Sequence, residues 1–406
     1  MLGAGRGQIP LILLCQGLGC RVTCVSPKGD YPGFAVADEA FVADVRDKAA
    51  VLGYCARNGV DAVLTDQLDL GVSTAAFVSD ALGLKGLSPS AAPCFTDKGE
   101  MRGSAKAAGV AVPACKLARS FEDAADAARN LEFPLVVKPV DSDASRGVFR
   151  VGRMEELRRV FPESLKESRS GRVILEEFVS GDEYVVEALT IDGVSRNLVV
   201  GARSYFDIPG MFVPSSTVFS DADSATSHVE EKVKEANLKL LDSFDPGTAI
   251  THGEFIYNAA ENEVYLVEIA ARGGGVFTSS DLVPAACGVD ANAVLVGSIL
   301  GEPDVVIPEL TKGAAAYFCF LVPEGTVLRA EGLKEASAVP GVFKAVTESI
   351  GEGMRVGPIC SKASRKGPFL VKASTKAECR EALSQIKERL RIEVETSSGV
   401  LGPIWD

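Results

Sequence analysis

Two apolar segments near residue 260 each carry one glutamate where the pattern otherwise reads as buried. One runs Thr251-His252-Gly253-Glu254-Phe255 and the other Val267-Glu268-Ile269-Ala270-Ala271-Arg272. Ile250 to Asn258 and Val264 to Ile269 have the composition of strands joined as a hairpin. With residues 259–263 as the loop and Asn258 opposite Val264, Glu254 falls directly opposite Glu268. Facing residues have Cβ atoms about 4.5–5.5 Å apart, and like charges there repel. A Mg²⁺ ion reverses that sign, because hard cations take carboxylate oxygens together with substrate phosphates. The competing reading is a slipped register that turns each glutamate to solvent. The apolar neighbours of both glutamates favour the metal.

The rest of the chain is α/β in pattern. Arg21 to Ser26 reads as a strand, Lys48 to Asn58 as a helix, Ala62 to Thr65 as a strand and Thr74 to Leu82 as a helix. Such alternation predicts a Rossmann-like parallel sheet. Only Met1-Leu2 precede the first glycines, so either the first strand is very short or the beginning is missing. Lys98 to Ala108 is a helix closed by Gly109. Strands follow at Phe133 to Pro139, Val148 to Val151, Arg172 to Phe178 and Glu183 to Ile191. Asp192-Gly193 is a hairpin turn into Leu198 to Ala202, and Val229 to Leu241 is an amphipathic helix. The last hundred or so residues mix strands (Ala314 to Val322, Pro368 to Ala373) with a helix from Lys376 to Arg391, a separate α+β cap. The expected domains are 1–92, 93–305 with a lid at about 114–178, and 306–406.

Composition excludes several functions. The net charge of −13 is poor for wrapping nucleic acid or an anionic membrane. The two histidines, His228 and His252, rule out an HExxH protease and most His-ligated zinc sites. The ten cysteines form no CxxC and mostly sit in apolar runs, as reduced core residues do. Apolar runs fall short of a membrane span, and no basic start with a cleavage site opens the chain. A cytoplasmic location is the expectation.

Four further stretches carry chemistry. Gly3-Ala4-Gly5-Arg6-Gly7-Gln8 lacks the third glycine of a dinucleotide fingerprint and reads as a strand-to-helix turn. Lys138 ends the apolar strand Phe133 to Pro139, and Asp141-Ser142-Asp143-Ala144-Ser145-Arg146-Gly147 follows, small enough for backbone amides to approach phosphates. A surface lysine on an ordinary hairpin is the alternative. In Leu175-Glu176-Glu177-Phe178-Val179-Ser180-Gly181-Asp182-Glu183, the carboxylates are either solvated or accept from a nucleoside. Arg203 and Arg272 could each fork onto a substrate carboxylate, with a salt bridge as the equal alternative for Arg203.

In this order the motifs resemble the ATP-grasp superfamily, over about Thr96 to Gly301, and within it the branch of carbamoyl-phosphate-synthase-like proteins and L-amino acid ligases. The ordered set is Thr96-Asp97-Lys98, Val137-Lys138-Pro139, the small-residue loop, Glu176 to Glu183, Gly253-Glu254-Phe255, and Glu268 with Arg272. The resemblance implies an ATP-dependent, ADP-forming ligase that activates a small carboxylic acid or amino acid as an acyl phosphate and joins it to an amine. It implies that Lys98 and Lys138 contact the ATP phosphates, and that the loop with Ser142, Ser145, Arg146 and Gly147 closes over them. It places adenine on Glu176 and the backbone of Glu177, Phe178 and Val179, ribose on Glu183, and Mg²⁺ on Glu254 and Glu268. Arg272 would stabilise the transferring phosphoryl group. The substrate pocket would draw on Arg203, the stretch to Asp207, Pro214-Ser215-Ser216, Gly274, Gly275 and, beyond them, Ser279, Ser280 and Asp281.

One position departs from the family. Its usual Glu-x-Asn-x-Arg has Ala270 in the Asn place, which opens the choice between one and two ions, with Mn²⁺ as an alternative metal. In the hairpin register Ala270 faces His252, and the small residue gives the imidazole room to donate to an anion. The partners expected are small molecules, neither nucleic acid nor membrane, with a homodimer as an open alternative. The competing functions are a bicarbonate-activating carboxylase or carbamoyl phosphate synthase, a nicotinamide dehydrogenase, and a non-catalytic ATP-binding regulator.

Overall fold

The computed structural model describes residues 1–142, 145–208 and 211–405. Asp143 and Ala144 of the small-residue loop lie outside the described residues. The chain divides into two units, one of Met1–Val112, Val185–Val200 and Ala222–Thr311, the other of Pro113–Tyr184, Gly201–Asp221 and Lys312–Asp406.

In the first unit, Thr23–Ser26 pairs in parallel with Glu39–Val42. Leu2 forms a parallel bridge to Val25 and donates its amide to Leu64 O at 2.8 Å. The α/β alternation is therefore as expected, with Ala62 to Thr65 extended but held to Leu2 rather than forming a full strand. The glycine run is a strand-to-helix turn leading into helix Ile9–Gly17. Helix Lys48–Asn58 starts on Asp47, whose side chain accepts from Ala50 N, and ends at Gly59 with φ 58°. Leu2, Val25, Val51, Val63 and Val78 form the core beneath these elements. Helix Asp69–Ala81 begins five residues before the expected Thr74. Hairpin strands Ala249–Asn258 and Glu263–Ala270 lie beside Asp182–Ile191 and Val194–Tyr205, in the order Glu263–Ala270, Ala249–Asn258, Asp182–Ile191, Val194–Tyr205.

The second unit contains an antiparallel sheet ordered Cys115–Ala118, Val173–Glu177, Leu135–Pro139, Phe149–Val151. Helices Phe121–Ala128 and Met154–Glu167 cover it, burying Leu135, Val137, Leu157, Phe161 and Leu175. The C-terminal part is α+β, as expected: strands Pro214–Asp221, Ala314–Phe320 and Lys366–Ala373 pack Phe318, Phe320 and Phe369 against Ile386 of helix Lys376–Arg389.

All ten cysteines are free, but Cys360 is exposed and Cys20, Cys94 and Cys115 are only half-buried, a correction to the core reading at those four. Among the described residues, no single helix is long and apolar enough to cross a membrane.

Candidate functional site

The hairpin places Glu254 opposite Glu268 and His252 opposite Ala270. It reaches that register by a route the alternation does not show. Asn258 pairs with Glu263, not Val264, and a bulge between Glu254 and Phe255 restores the offset. The two glutamates therefore share one face, as the metal reading requires.

Each glutamate is matched by a basic side chain in the first unit. Lys98 Nζ lies 2.8 Å from Glu268 Oε1. Lys98 opens helix Lys98–Ala107, whose N-cap Asp97 accepts from Gly99 N and Glu100 N. Burial is the largest influence and pulls the Lys98 ammonium down, but the charge and hydrogen bond of Glu268 together with the charge of Asp69 raise its pKa above the usual value. His252 Nε2 lies 3.1 Å from Glu254 Oε1, and Nδ1 meets Glu187 Oε1. Burial likewise opposes the imidazolium, yet Glu187 and Glu254 together raise the His252 pKa.

Arg272 is held from the N-terminal elements. Its Nε and a terminal nitrogen donate to the two oxygens of Asp69 at 2.9 and 3.1 Å, a bidentate fork. The arginine is buried, which lowers its pKa, and Asp69 more than restores it. The glycines that follow are packed tightly. Gly273 N donates to Asp66 Oδ1 at 3.1 Å and Gly274 N to Glu187 Oε2 at 3.2 Å. Ser279, expected beside the substrate, donates to both oxygens of Asp66. Ser280 donates to Asp281. Val276 and Phe277 have φ of 59° and 57°, a costly conformation for a β-branched residue. Asp66 is 2% exposed, and burial raises its carboxyl pKa to about 6 despite the Ser279 hydrogen bond.

Gln8, which replaces the third glycine, folds its side chain into the turn. Its amide nitrogen donates to Asp66 O at 2.5 Å and its oxygen accepts from Gly5 N at 2.8 Å. A side chain occupies the turn where a fingerprint glycine would let a pyrophosphate approach.

In the second unit, Lys138 and Glu176 are both nearly fully buried and paired at 2.7 Å. The surface-lysine alternative is thereby removed. Glu177 accepts from Glu132 N, and Phe178 donates its amide to Pro134 O and lies under the Arg150 guanidinium at 4.0 Å. Val179 is half-buried directly after the strand end. Ser142 donates to Arg146 O, and Ser145 and Gly147 take left-handed φ of 60° and 70°. Asp141 is committed to its base, accepting from Arg169 N and Ser170 N. Glu183 and Arg203, expected on ribose and on a substrate carboxylate, form a buried ion pair at 2.7 Å, and Tyr205 donates to the other Glu183 oxygen. The salt-bridge alternative for Arg203 holds here, in the interior rather than on the surface.

Sequence reasoning missed Glu187, Asp66 and Asp69. Glu187 carried the signal used for Glu254: a lone carboxylate in an apolar strand, Val185-Val186-Glu187-Ala188-Leu189.

Among the described residues, no group of three or more His, Cys, Asp or Glu is gathered to hold a metal. The facing pair Glu254 and Glu268 nonetheless fits Mg²⁺, which is bound through one or two carboxylates with phosphates and waters completing the shell.

The chain has relatives among known proteins. A family model described as the D-Ala D-Ala ligase C-terminus matches residues 105–296, and one described as L-amino acid ligase C-terminal domain 2 matches residues 319–395. The formate-dependent phosphoribosylglycinamide formyltransferase of Burkholderia lata is 28% identical over 355 residues, 84% of each chain. The crystal structure of an L-amino acid ligase from Bacillus licheniformis superposes with a TM-score of 0.79 at 19% identity, covering 97% of this chain and 98% of that one. The biotin carboxylase domain of the Hydrogenobacter thermophilus 2-oxoglutarate carboxylase, solved with MgADP, ADP and bicarbonate, gives 0.72 at 18% identity over 98% and 90%. By these matches the chain is similar in sequence to ligases of the ATP-grasp type and shares their fold.

Proposed function

We propose that Lys98, Lys138, Glu176 to Val179, Glu183 and the loop Ser142 to Gly147 hold the nucleotide, that Glu254 and Glu268 hold Mg²⁺ (or Mn²⁺), and that Arg272 and His252 face the reacting groups. The observation that carries this reading is the register that sets Glu254 against Glu268 with Lys98 on one and His252 on the other. A metal bound there would neutralise phosphate charge. The carboxylate oxygen of the acid attacks the γ-phosphorus, and the bond to the β-phosphate oxygen breaks to release ADP. The amine nitrogen then attacks the acyl carbon, phosphate leaves, and the nitrogen gives up a proton.

No side-chain nucleophile takes part. Arg272, pre-aligned by Asp69, offers a fixed guanidinium to the charge that develops on the phosphoryl and acyl oxygens. Ser142, Ser145, Arg146 and Gly147 would help exclude water from the acyl phosphate. Gly274 has its amide turned to Glu187, which leaves Gly275 as the glycine open to a substrate carboxylate. Arg203 reaches substrate in this reading only by exchanging its Glu183 partner.

The same reading assigns residues 1–92, 93–305 and 306–406 to three domains, with the lid at about 114–178, a cytoplasmic location and a homodimer. An ADP-release screen with Mg-ATP over amino acids and small organic acids, singly and in pairs, tests it. A pair that releases ADP synergistically identifies acid and amine together. Release with bicarbonate alone, or no release with any pair, overturns the carboxylate–amine assignment.

A further inference from the structure

We propose that Glu187 is the positioning residue of this site, setting the ring orientation of His252 and the backbone of Gly274 with one carboxylate. The proposal rests on the reading of His252 given above. Glu187 is 1% exposed on strand Asp182–Ile191, next to the strand that carries His252. A buried carboxylate is costly unless its oxygens are used. Here Oε1 takes His252 Nδ1 and Oε2 takes Gly274 N at 3.2 Å. Neither partner is a lysine or arginine whose charge would explain the burial.

The chemistry sets the direction of both bonds. A carboxylate accepts only, so the Nδ1 hydrogen of His252 points at Glu187. The ring is thereby held with Nε2 toward Glu254. The same logic orients metal-site histidines through an outer carboxylate. The glycine belongs to the same unit: a Cβ at position 274 would lie 2.7 Å from His252 Nδ1 and would overlap Glu187 Oε1. Imidazole, carboxylate and glycine backbone thus move together or not at all.

The chain has only His228 and His252, so ¹⁵N-histidine labelling yields two rings, assigned with a His228→Gln variant. In the wild type, at one pH and without nucleotide, His252 is expected to show a protonated Nδ1 whose hydrogen exchanges slowly with water. Its absence overturns the proposal without any variant. In Glu187→Gln, which keeps shape but leaves one acceptor oxygen for two donors, that hydrogen exchanges at least tenfold faster or is lost. An unchanged Nδ1–H signal in folded Glu187→Gln overturns the proposal. With Mg-ATP and the pair found by ADP release, Glu187→Gln lowers kcat roughly ten- to a hundredfold with little change in KM for Mg-ATP. Added to His252→Ala, it costs clearly less than it does in the wild type, because of the two groups it positions only the Gly274 backbone remains. A full additional loss overturns the proposal. Unchanged turnover in His252→Ala overturns the catalytic reading of His252 instead, and the ring spectra still decide the role of Glu187.

Discussion

Glu254 faces Glu268 across a hairpin whose register changes at the very next residue. Each carboxylate has its own partner, the Lys98 ammonium on Glu268 and the His252 ring on Glu254. Both partners make the pair tolerable before any metal arrives. Mg²⁺ is therefore expected to raise the melting temperature of the wild type in the presence of ADP, and not that of Glu268→Gln. Losing several kcal/mol of charge stabilisation corresponds to a drop in turnover of roughly a hundredfold or more for either Glu→Gln variant. Thermal melts with and without Mg-ADP, and steady-state ADP release, check both statements.

The three glycines after Arg272 are not equivalent. A Cβ on Gly273 would lie 2.5 Å from Asp66 Oδ1, and one on Gly274 would lie 2.7 Å from His252 Nδ1, whereas Gly275 has nothing within 4 Å and its φ lies outside the left-handed region. Gly275→Ala should leave the melting temperature nearly unchanged, and any effect on activity then reports substrate contact alone. Gly273→Ala and Gly274→Ala should each destabilise by about 1–3 kcal/mol, the usual cost of overpacking. Parallel denaturation curves of the three variants test the ranking.

Lys138 and Glu176 form a buried ion pair, so their single and double variants should diverge. Lys138→Met removes the cation paired with a buried carboxylate, at a cost of about 3–5 kcal/mol. Lys138→Met combined with Glu176→Leu should recover most of that stability while ATP affinity stays lost. Urea unfolding and titration with Mg-ATP separate fold from function. Recovery of nucleotide binding in the double variant would remove both residues from the ATP site.

Asp66 gives a pH dependence with a defined sign. Its folded-state pKa of about 6 lies above the usual value of 3.8. The folded state then holds the proton more tightly than the unfolded one, so the contribution of Asp66 is complete below about pH 4 and is lost as pH rises through about 6. The shift is worth about 3 kcal/mol. Relative to Asp66→Asn, the wild type should lose stability between about pH 4 and 6 and then run parallel. Melting of the two proteins across that range measures the difference, and parallel curves throughout would refute it.

Local patterns carried the hairpin, its two glutamates and the Lys98 helix, because strand alternation and helix capping act over a few residues. Helix Lys48–Asn58 and the strand holding Lys138 were legible for the same reason. Alternation could not show the bulge at Glu254/Phe255, which changes pairing without changing composition.

The sequence by itself determined which side chains were out of place in apolar strands, and so which of them needed charged or polar partners. Only the tertiary structure decided what each of them touches. Asp69 meets Arg272, Asp66 meets Gly273 and Ser279, and Glu187 meets His252 and Gly274, across separations of 65 to 213 residues. A buried carboxylate must find donors somewhere, but which donors it finds depends on chain closure over those distances, and no short-range periodicity encodes that.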